Sequence, residues 1–327
     1  MASFRQRNGK WQARVIREGY PEQTKTFETK VDAEKWARAL ESEIDRGQFV
    51  NVSEAQRTTL GDVIARYLVE VTPTMKGAAE DTIRLKAMMR KPIARWSMAN
   101  LSAARIAAFR DERLKQVSGG TVIRELAYIS AIVNHARREW GINMPNPVQM
   151  VRKPQSPQSR SRVLTDDEVT KLLMALEPTR RRSHWTKPAV QLALATAMRR
   201  GELLSLRWEH VDLQNRTAFL PDTKNGDSRM VPLSTAAVQV LVGLPRHISG
   251  VVLPVKFFTL DAAFKRGVRR AGLEGVRFHD LRRTAITRMA EKLPNVIELA
   301  AVSGHKSLMV LKRYYRPSAT ELASKLG

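Results

Sequence analysis

The chain has 327 residues, 43% hydrophobic and 27% charged, which is material for two or three domains with buried cores. It contains no cysteine, so disulfides, thiolate nucleophiles and Cys-ligated zinc are excluded, and the composition fits a reducing cytoplasm. With 56 Lys and Arg against 32 Asp and Glu the formal charge is +24, an excess that repels itself in the folded state and that a polyanionic partner would neutralise.

An acidic membrane surface is the weaker alternative. The sequence shows no long basic amphipathic helix, no lipidation signal, no secretory apolar stretch and no run near the ~18 apolar residues that would span a bilayer. Charge is unevenly distributed. Residues 1–50 carry 10 basic and 8 acidic groups, residues 51–157 carry 17 and 9, and residues 158–327 carry 29 and 15. The basic excess lies in the last two segments.

The first segment, 1–52, reads as a three-stranded sheet with one helix. WQARVI (Trp11 to Ile16) alternates, KTFET (Lys25 to Thr29) is rich in β-formers, and EGYPEQ supplies the turn residues between them. Ala33, Trp36, Ala37, Leu40 and Ile44 then recur on one helical face. Thr29 and Asp32 resemble a capping box, and Gly47 can close the helix. Arg5, Arg7, Lys10, Arg14 and Lys25 gather on the strand side, either as a solvated hairpin or as a sheet that reads a nucleic-acid groove.

The second segment, 58–153, is helical. Shorter helical patterns cover about 59–70, 79–95 and 103–116. Val122, Leu126, Ile129, Val133, Ala136 and Trp140 are spaced by alternating steps of four and three, the seam of a long helix that Gly141 ends. His135 lies within this seam and reads as structural. Asn146, Pro147 and Val148 break the chain, and the polar stretch KPQSPQSRSR (Lys153 to Arg162) marks a linker over 154–162.

The third segment, 163–327, opens on a helix capped by Thr165 and Glu168. A mainly helical stretch over about 186–206 contains TAMRRGELLSLRW, in which Arg199 and Glu202 stand three apart and can meet. TAFLPDTKNGDSRMVPLS follows, two strand-like runs around an Asn225-Gly226 turn with Lys224 at the tip, either solvated or reaching into a groove. FHDLRRTAITRMAE places His279 and Arg282 on one helix face. SGHKSLMVLKRYYRP puts His305 on a loop and Tyr314 nine residues later on a short helix. The tail SATELASKLG can form a last helix or stay free.

Each of these features alone reads more readily as a surface ion pair, a solvated lysine, a capped helix start or a packed aromatic ring. Together, in order, they supply Arg, Lys, His, Arg, His and Tyr, the groups needed for phosphoryl transfer without a metal. A phenol can serve as nucleophile, guanidiniums can neutralise the non-bridging oxygens, and a lysine or histidine can move protons. Arginine suits the clamp because its fork matches phosphate oxygens in pairs. A phenol titrates near pH ~10 when unperturbed, so dense positive charge beside it favours the reactive phenolate.

This order resembles the tyrosine recombinase (phage integrase) family, strongly over about 190–317. TAMRRGELLSLRW is similar to the family's first arginine motif, HDLRRT to its H-x-x-R motif, and SGHKSLMVLKRYY to its Gly-His followed by the tyrosine. Residues 58–157 look like the family's core-binding domain, and the N-terminal segment looks like an arm-site-binding domain. The fold thus implied is mainly α with small β-sheets (α+β): an N-terminal sheet plus helix, a helical core-binding domain, and a mixed, mostly helical catalytic domain, the last two closing around DNA.

What the resemblance implies for the residues is as follows. Tyr314 would attack the scissile phosphate and leave a 3′-phosphotyrosyl link with a free 5′-hydroxyl. Arg199 and Arg282 would grip the phosphate, with Glu202 orienting Arg199. Lys224 would protonate the leaving 5′-oxygen, His279 would act as an acid/base partner, and His305 would hydrogen-bond the phosphate. A 5′-hydroxyl from another duplex would then attack the link, with no ATP, metal or other cofactor. Arg5, Arg14, Lys25, Arg283 and Lys306 would contact DNA.

The implied partners are double-stranded DNA at core and arm sites, three further protomers in a tetramer on two DNA sites, and accessory DNA-bending proteins, with no membrane and a cytoplasmic location. Integration, excision and shufflon-type inversion all remain open. The chain departs from the family pattern at Ala197, where glycine is common, at Ser303, where leucine is common, and at Arg316, where histidine is frequent. Tyr315 would point elsewhere than Tyr314 and pack.

Two other classes share parts of this pattern. A DNA-binding regulator without chemistry would explain the charge but not the ordered set, and a relaxing type IB topoisomerase would use a similar tyrosine and clamp without a second duplex. A metal-dependent relaxase is disfavoured, because the six histidines, at 135, 184, 210, 247, 279 and 305, form no paired metal motif.

Overall fold

The computed structural model describes residues 2–46, 53–156, 160–180, 183–221, 228–314 and 319–327; at 53, 319, 321, 322 and 325 it describes the backbone only. The chain forms two compact units, 1–159 and 160–327. Both are mostly helical, and each holds one three-stranded antiparallel sheet, as the α+β reading anticipates.

The first unit begins with β1 (Ala2–Arg7), β2 (Lys10–Val15) and β3 (Gln23–Phe27), paired in sequence order. Asn8 and Gly9 both have positive φ, the two-residue hairpin turn that an Asn-Gly pair favours. Helix α1 (Lys30–Asp45) starts at Thr29, whose side chain accepts from the Asp32 amide. Its apolar face, Ala37, Leu40 and Ile44, packs on Val15, Phe4 and Ala2. Gly47 lies outside the described residues.

The pairing of Arg5 with Gln12, Ser3 with Arg14, Arg7 with Lys10 and Gln12 with Thr26 puts all these residues on the face away from α1, because directly opposed residues share a face. Ala13, fully buried towards the helix, pairs with Lys25. The five basic residues expected together are therefore divided. Arg5, Arg7, Lys10 and Arg14 share the polar outer face, and Lys25 belongs to the helix side, where its ammonium sits 5.5 Å from the Phe27 ring centroid. The period of two forces this, since an odd register step flips a strand residue to the other face.

The rest of this unit contains α2 (Ser53–Arg57), α3 (Leu60–Glu70), α4 (Ala78–Met89), α5 (Ala103–Leu114) and α6 (Gly119–Glu139). The α6 seam is buried as its spacing predicts. Val122, Leu126, Ile129 and Val133 are fully covered, each contributing about 1.5–3 kcal/mol of apolar burial. Trp140 caps the helix and packs edge-on against His135, 4.8 Å between centroids, and Tyr67 meets the same imidazole at 5.4 Å. His135 is thus an aromatic packing residue. The pattern over 79–95 is two elements, because Pro92 starts a separate 3-10 turn after α4.

The second unit runs α7 (Asp166–Ala175), α8 (Thr186–Thr196), α9 (Arg200–Ser205), a sheet of β4 (Val211–Asp212), β5 (Thr217–Leu220) and β6 (Arg229–Pro232), then α10 (Thr235–Val242), α11 (Phe257–Arg270), α12 (Phe278–Lys292), α13 (Val296–Ser303), α14 (Leu308–Leu311) and α15 (Ala319–Leu326). The main core draws Leu172, Val190, Leu203, Val231, Leu241, Phe264 and Leu281 from α7 to α12. A smaller cluster of Ala197, Ala285, Ile286, Leu299 and Leu311 holds α12, α13 and α14 together, with Tyr314 packed against it. That second cluster is what carries the tyrosine to the arginines. No helix among the described residues is long and apolar enough to cross a membrane.

Candidate active site

The mainly helical stretch expected over about 186–206 is two helices. α8 ends at Thr196, Ala197 takes a left-handed conformation at φ 52°, and the backbone is extended at Arg199 before α9 begins. Arg199 is the N-cap of α9, with Glu202 as the acidic residue three positions on. One Glu202 oxygen accepts from the Arg199 amide at 2.8 Å and the other from Arg199 Nη1 at 2.6 Å. The capping geometry that starts the helix also orients the guanidinium.

Glu202 is only 5% exposed and binds a second cation, Arg229 Nη2, at 2.9 Å. Burial pushes its carboxyl up, but the Arg199 amide and the two guanidiniums outweigh that and hold it below the ordinary carboxylate range. Arg229 is absent from the sequence reading. The signal was available: it stands two residues before the fully buried Val231, on the inward face of β6, where an arginine needs partners.

Arg282, on the first turns of α12, is 4% exposed. Nη1 donates to the Ala197 carbonyl, and Nη2 to the Ser303 carbonyl at 2.7 Å. Burial and the neighbouring Arg199 push it down to about 10, so it stays charged at neutral pH.

The three arginines converge for one reason. The last carbonyls of a helix have no partner within it and carry its negative dipole end. At the end of α13, Val302 O accepts from Arg229 Nη1 at 2.7 Å, Ser303 O from Arg282 at 2.7 Å, and Gly304 O from Arg199 Nη2 at 3.3 Å. Three successive carbonyls and the Glu202 carboxylate thus hold three like charges side by side.

His305 follows directly. Its Nδ1 is 2.8 Å from Ser303 Oγ, and its ring centroid is 6.1 Å from that of Tyr314. Burial, then Arg282, Arg199 and Arg229, push it down to about 4, so the imidazole is neutral at physiological pH. His279 sits one turn before Arg282 with an exposed edge; burial of its inner side and the Arg282 charge lower it below the usual histidine range.

Tyr314 stands in the turn after α14 rather than on that short helix, its amide donating to Leu311 O at 2.8 Å. The ring is half-buried, and the Arg283 guanidinium carbon lies 5.2 Å from its centroid. Arg283 therefore stacks on the tyrosine, and Lys306 is exposed beside His305. Lys224, the Asn225-Gly226 turn, Tyr315 and Arg316 lie outside the described residues. The strands on either side of that turn do pair, Leu220 with Arg229 and Phe219 with Met230. Of the expected set, Arg199, Glu202, His279, Arg282, His305 and Tyr314 are gathered in one place within the second unit. Among the described residues no group of three or more His, Asp or Glu side chains is placed to hold a metal ion.

Residues 162–321 match the model of the phage integrase family. A Haemophilus influenzae protein named as an integrase/recombinase is 36% identical over 333 residues, covering 96% of this chain and 87% of that protein. The shufflon-specific DNA recombinase of Escherichia coli is 40% identical over 280 residues, 83% of this chain and 72% of its own. In fold, the chain is similar to the Tn1549 transposon integrase in complex with circular intermediate DNA (TM-score 0.68, 16% identity, 83% and 99% of the two chains). It is also similar to a lambda integrase dimer bound to a COC' core site (TM-score 0.67, 21% identity, 96% and 94%). The ordered motifs and these likenesses agree: the chain belongs to the phage integrase family of tyrosine recombinases, enzymes of site-specific DNA recombination.

Proposed function

We propose that Tyr314 is the nucleophile of this recombinase and that Arg199 and Arg282 form its phosphate clamp. The phenol oxygen attacks the scissile phosphorus, the bond to the 5′-oxygen breaks, and a 3′-phosphotyrosyl link forms. Arg199 and Arg282 offset the charge on the non-bridging oxygens, Glu202 orients Arg199, Lys224 protonates the leaving 5′-oxygen, and His279 and His305 handle protons and hydrogen bonds. A 5′-hydroxyl of a second duplex then attacks the link, so the phosphodiester energy is kept.

The convergence of Arg199, Arg282 and His305 on one helix end, with Tyr314 packed beside them, carries this conclusion. A suicide DNA substrate tests it. The native chain should give a covalent protein–DNA adduct and Tyr314→Phe none, while binding DNA normally. An adduct from Tyr314→Phe would move the nucleophile elsewhere. Arg199→Ala and Arg282→Ala should each slow cleavage by ~10²-fold or more, since a donor of this kind contributes about 3 kcal/mol to the transition state.

We infer three domains, 1–52 binding arm sites, 58–153 binding core sites and 163–327 catalysing, with four protomers on two DNA duplexes and accessory proteins bending the DNA between; the separate apolar clusters around Val15 and Leu40 and around Leu126 and Ile129 favour dividing the first compact unit in this way. A lambda integrase tetramer on a Holliday junction, similar in fold, supports the tetramer. The 40% identity with a shufflon-specific recombinase favours inversion of a DNA segment over integration. Plasmids carrying paired sites in inverted or direct orientation separate these outcomes, and relaxation of a one-site plasmid without exchange would point to a topoisomerase instead.

A further inference from the structure

We propose that Arg229 is a positioning residue of the cleavage reaction: it is the counter-ion that lets Glu202 orient Arg199 without cancelling the Arg199 charge. This rests on the assignment of Arg199 to the phosphate clamp.

Arg229 lies on β6, and its side chain is 12% exposed. Its guanidinium joins two segments that are distant in sequence. Nη2 donates to a Glu202 carboxylate oxygen at 2.9 Å, and Nη1 donates to Val302 O at 2.7 Å. Nε is buried, has no partner among the described residues, and packs over Gly304. Each of the three nitrogens is bound to the protein or covered by it. Arg229 therefore acts through its neighbours and does not hold a phosphate.

Glu202 by itself has two opposed effects. It fixes Arg199 by accepting from Nη1 at 2.6 Å and from the Arg199 amide at 2.8 Å. A buried carboxylate at that distance also neutralises the guanidinium it holds. A neutral pair gives little help to the charge that builds on the non-bridging oxygens. Arg229 resolves this by placing a second cation on the same carboxylate. The cluster then holds the guanidiniums of Arg199, Arg229 and Arg282 against the one Glu202 carboxylate, which leaves two positive charges uncancelled. The reacting phosphate also gathers two negative charges, one from the phosphodiester and one from the attacking phenolate. Burial favours the neutral acid at Glu202, and the Arg199 amide and the Arg229 charge oppose it, so the carboxylate stays ionised. An arginine suits this place because its fork reaches the carboxylate and the Val302 carbonyl together.

The test measures single-turnover strand cleavage by the full chain at saturating DNA. Two substrates are compared: ordinary DNA, and DNA with a methylphosphonate at the scissile position, where a neutral methyl group replaces one charged oxygen. Arg229→Met should cleave ordinary DNA ~10²-fold more slowly, with DNA affinity unchanged. Adding Glu202→Gln to Arg229→Met keeps an acceptor for Arg199 and removes the charge to be balanced, so it should restore about tenfold of the lost rate. On methylphosphonate DNA the defect of Arg229→Met should shrink about tenfold, because less charge has to be offset. A side chain that only held the fold would slow both substrates alike and gain nothing from Glu202→Gln. Either of those results overturns the proposal. The ratio of the two rates does not depend on the folded fraction, so the test stands where Arg229→Met lowers stability. An Arg199→Ala chain slowed equally on both substrates would remove the clamp assignment. The Glu202→Gln comparison still decides the counter-ion role in that case, so the two failures are distinguishable.

Discussion

A β-carbon on Gly304 would lie 2.7 Å from Arg229 Nε and 2.9 Å from its Cδ and Cζ. The glycine of the Gly-His pair is therefore needed twice, for its positive φ of 68° and for the room it leaves the guanidinium. Gly304→Ala should destabilise the chain by about 2–4 kcal/mol, combining left-handed strain with overpacking. In an Arg229→Ala background the same change should cost only the strain, about 1–2 kcal/mol. A double-mutant cycle by urea denaturation measures the difference. Equal costs in both backgrounds would show that the two residues do not press on each other.

Ala197 adopts φ 52° with its side chain fully buried, a conformation that strains any residue with a β-carbon. Its carbonyl receives Arg282. Ala197→Gly should relieve about 1 kcal/mol of strain and raise the denaturation midpoint, with cleavage retained because the carbonyl stays in place. A lower midpoint would mean that the added backbone freedom of glycine outweighs the relief.

His305 is neutral in the folded chain because burial and three arginines lower it to about 4, whereas an unfolded histidine titrates near pH ~6.5. Between those values the unfolded state binds the extra proton, so stability is full above about 6.5 and is lost as the pH falls towards 4. His279, lowered for the same reasons, adds in the same direction. The melting temperature should therefore fall more steeply between pH 6.5 and 4 for the native chain than for His305→Asn. Parallel curves would show that His305 carries no linkage.

The outer face of the N-terminal sheet holds Arg5 and Arg14, and its helix side holds Lys25. Arg14 meets Glu22 at 2.5 Å, an exposed pair that a phosphate can replace at little cost. If this face binds arm DNA, Arg5→Ala and Arg14→Ala should each lower the salt slope of arm-site binding by about 0.9, one phosphate contact apiece, while Lys25→Ala leaves it unchanged. Fluorescence anisotropy over a salt series gives the slopes. An effect of Lys25→Ala equal to that of Arg5→Ala would shift the contact surface away from the outer face.

Much of this was legible in the residues themselves. Apolar spacing located α1 and the buried seam of α6, because a helix or strand that hides one face must repeat its apolar residues at a fixed period. Thr165 and Glu168 marked the start of α7, because capping is a contact between neighbours in sequence. The ordered Arg, Lys, His, Arg, His and Tyr set was visible too, since side-chain chemistry needs no coordinates. The break at Ala197 was not, because alanine favours helix locally and the left-handed turn is imposed by the α8, α9 and α12 packing around it. Nor was the role of Arg229, nor the sharing of three α13 carbonyls among three arginines, because those contacts join residues 73, 21 and 105 positions apart. Sequence named the groups proposed to react; only the tertiary fold could bring like charges together, by setting the unpaired end of one helix and a buried carboxylate between them.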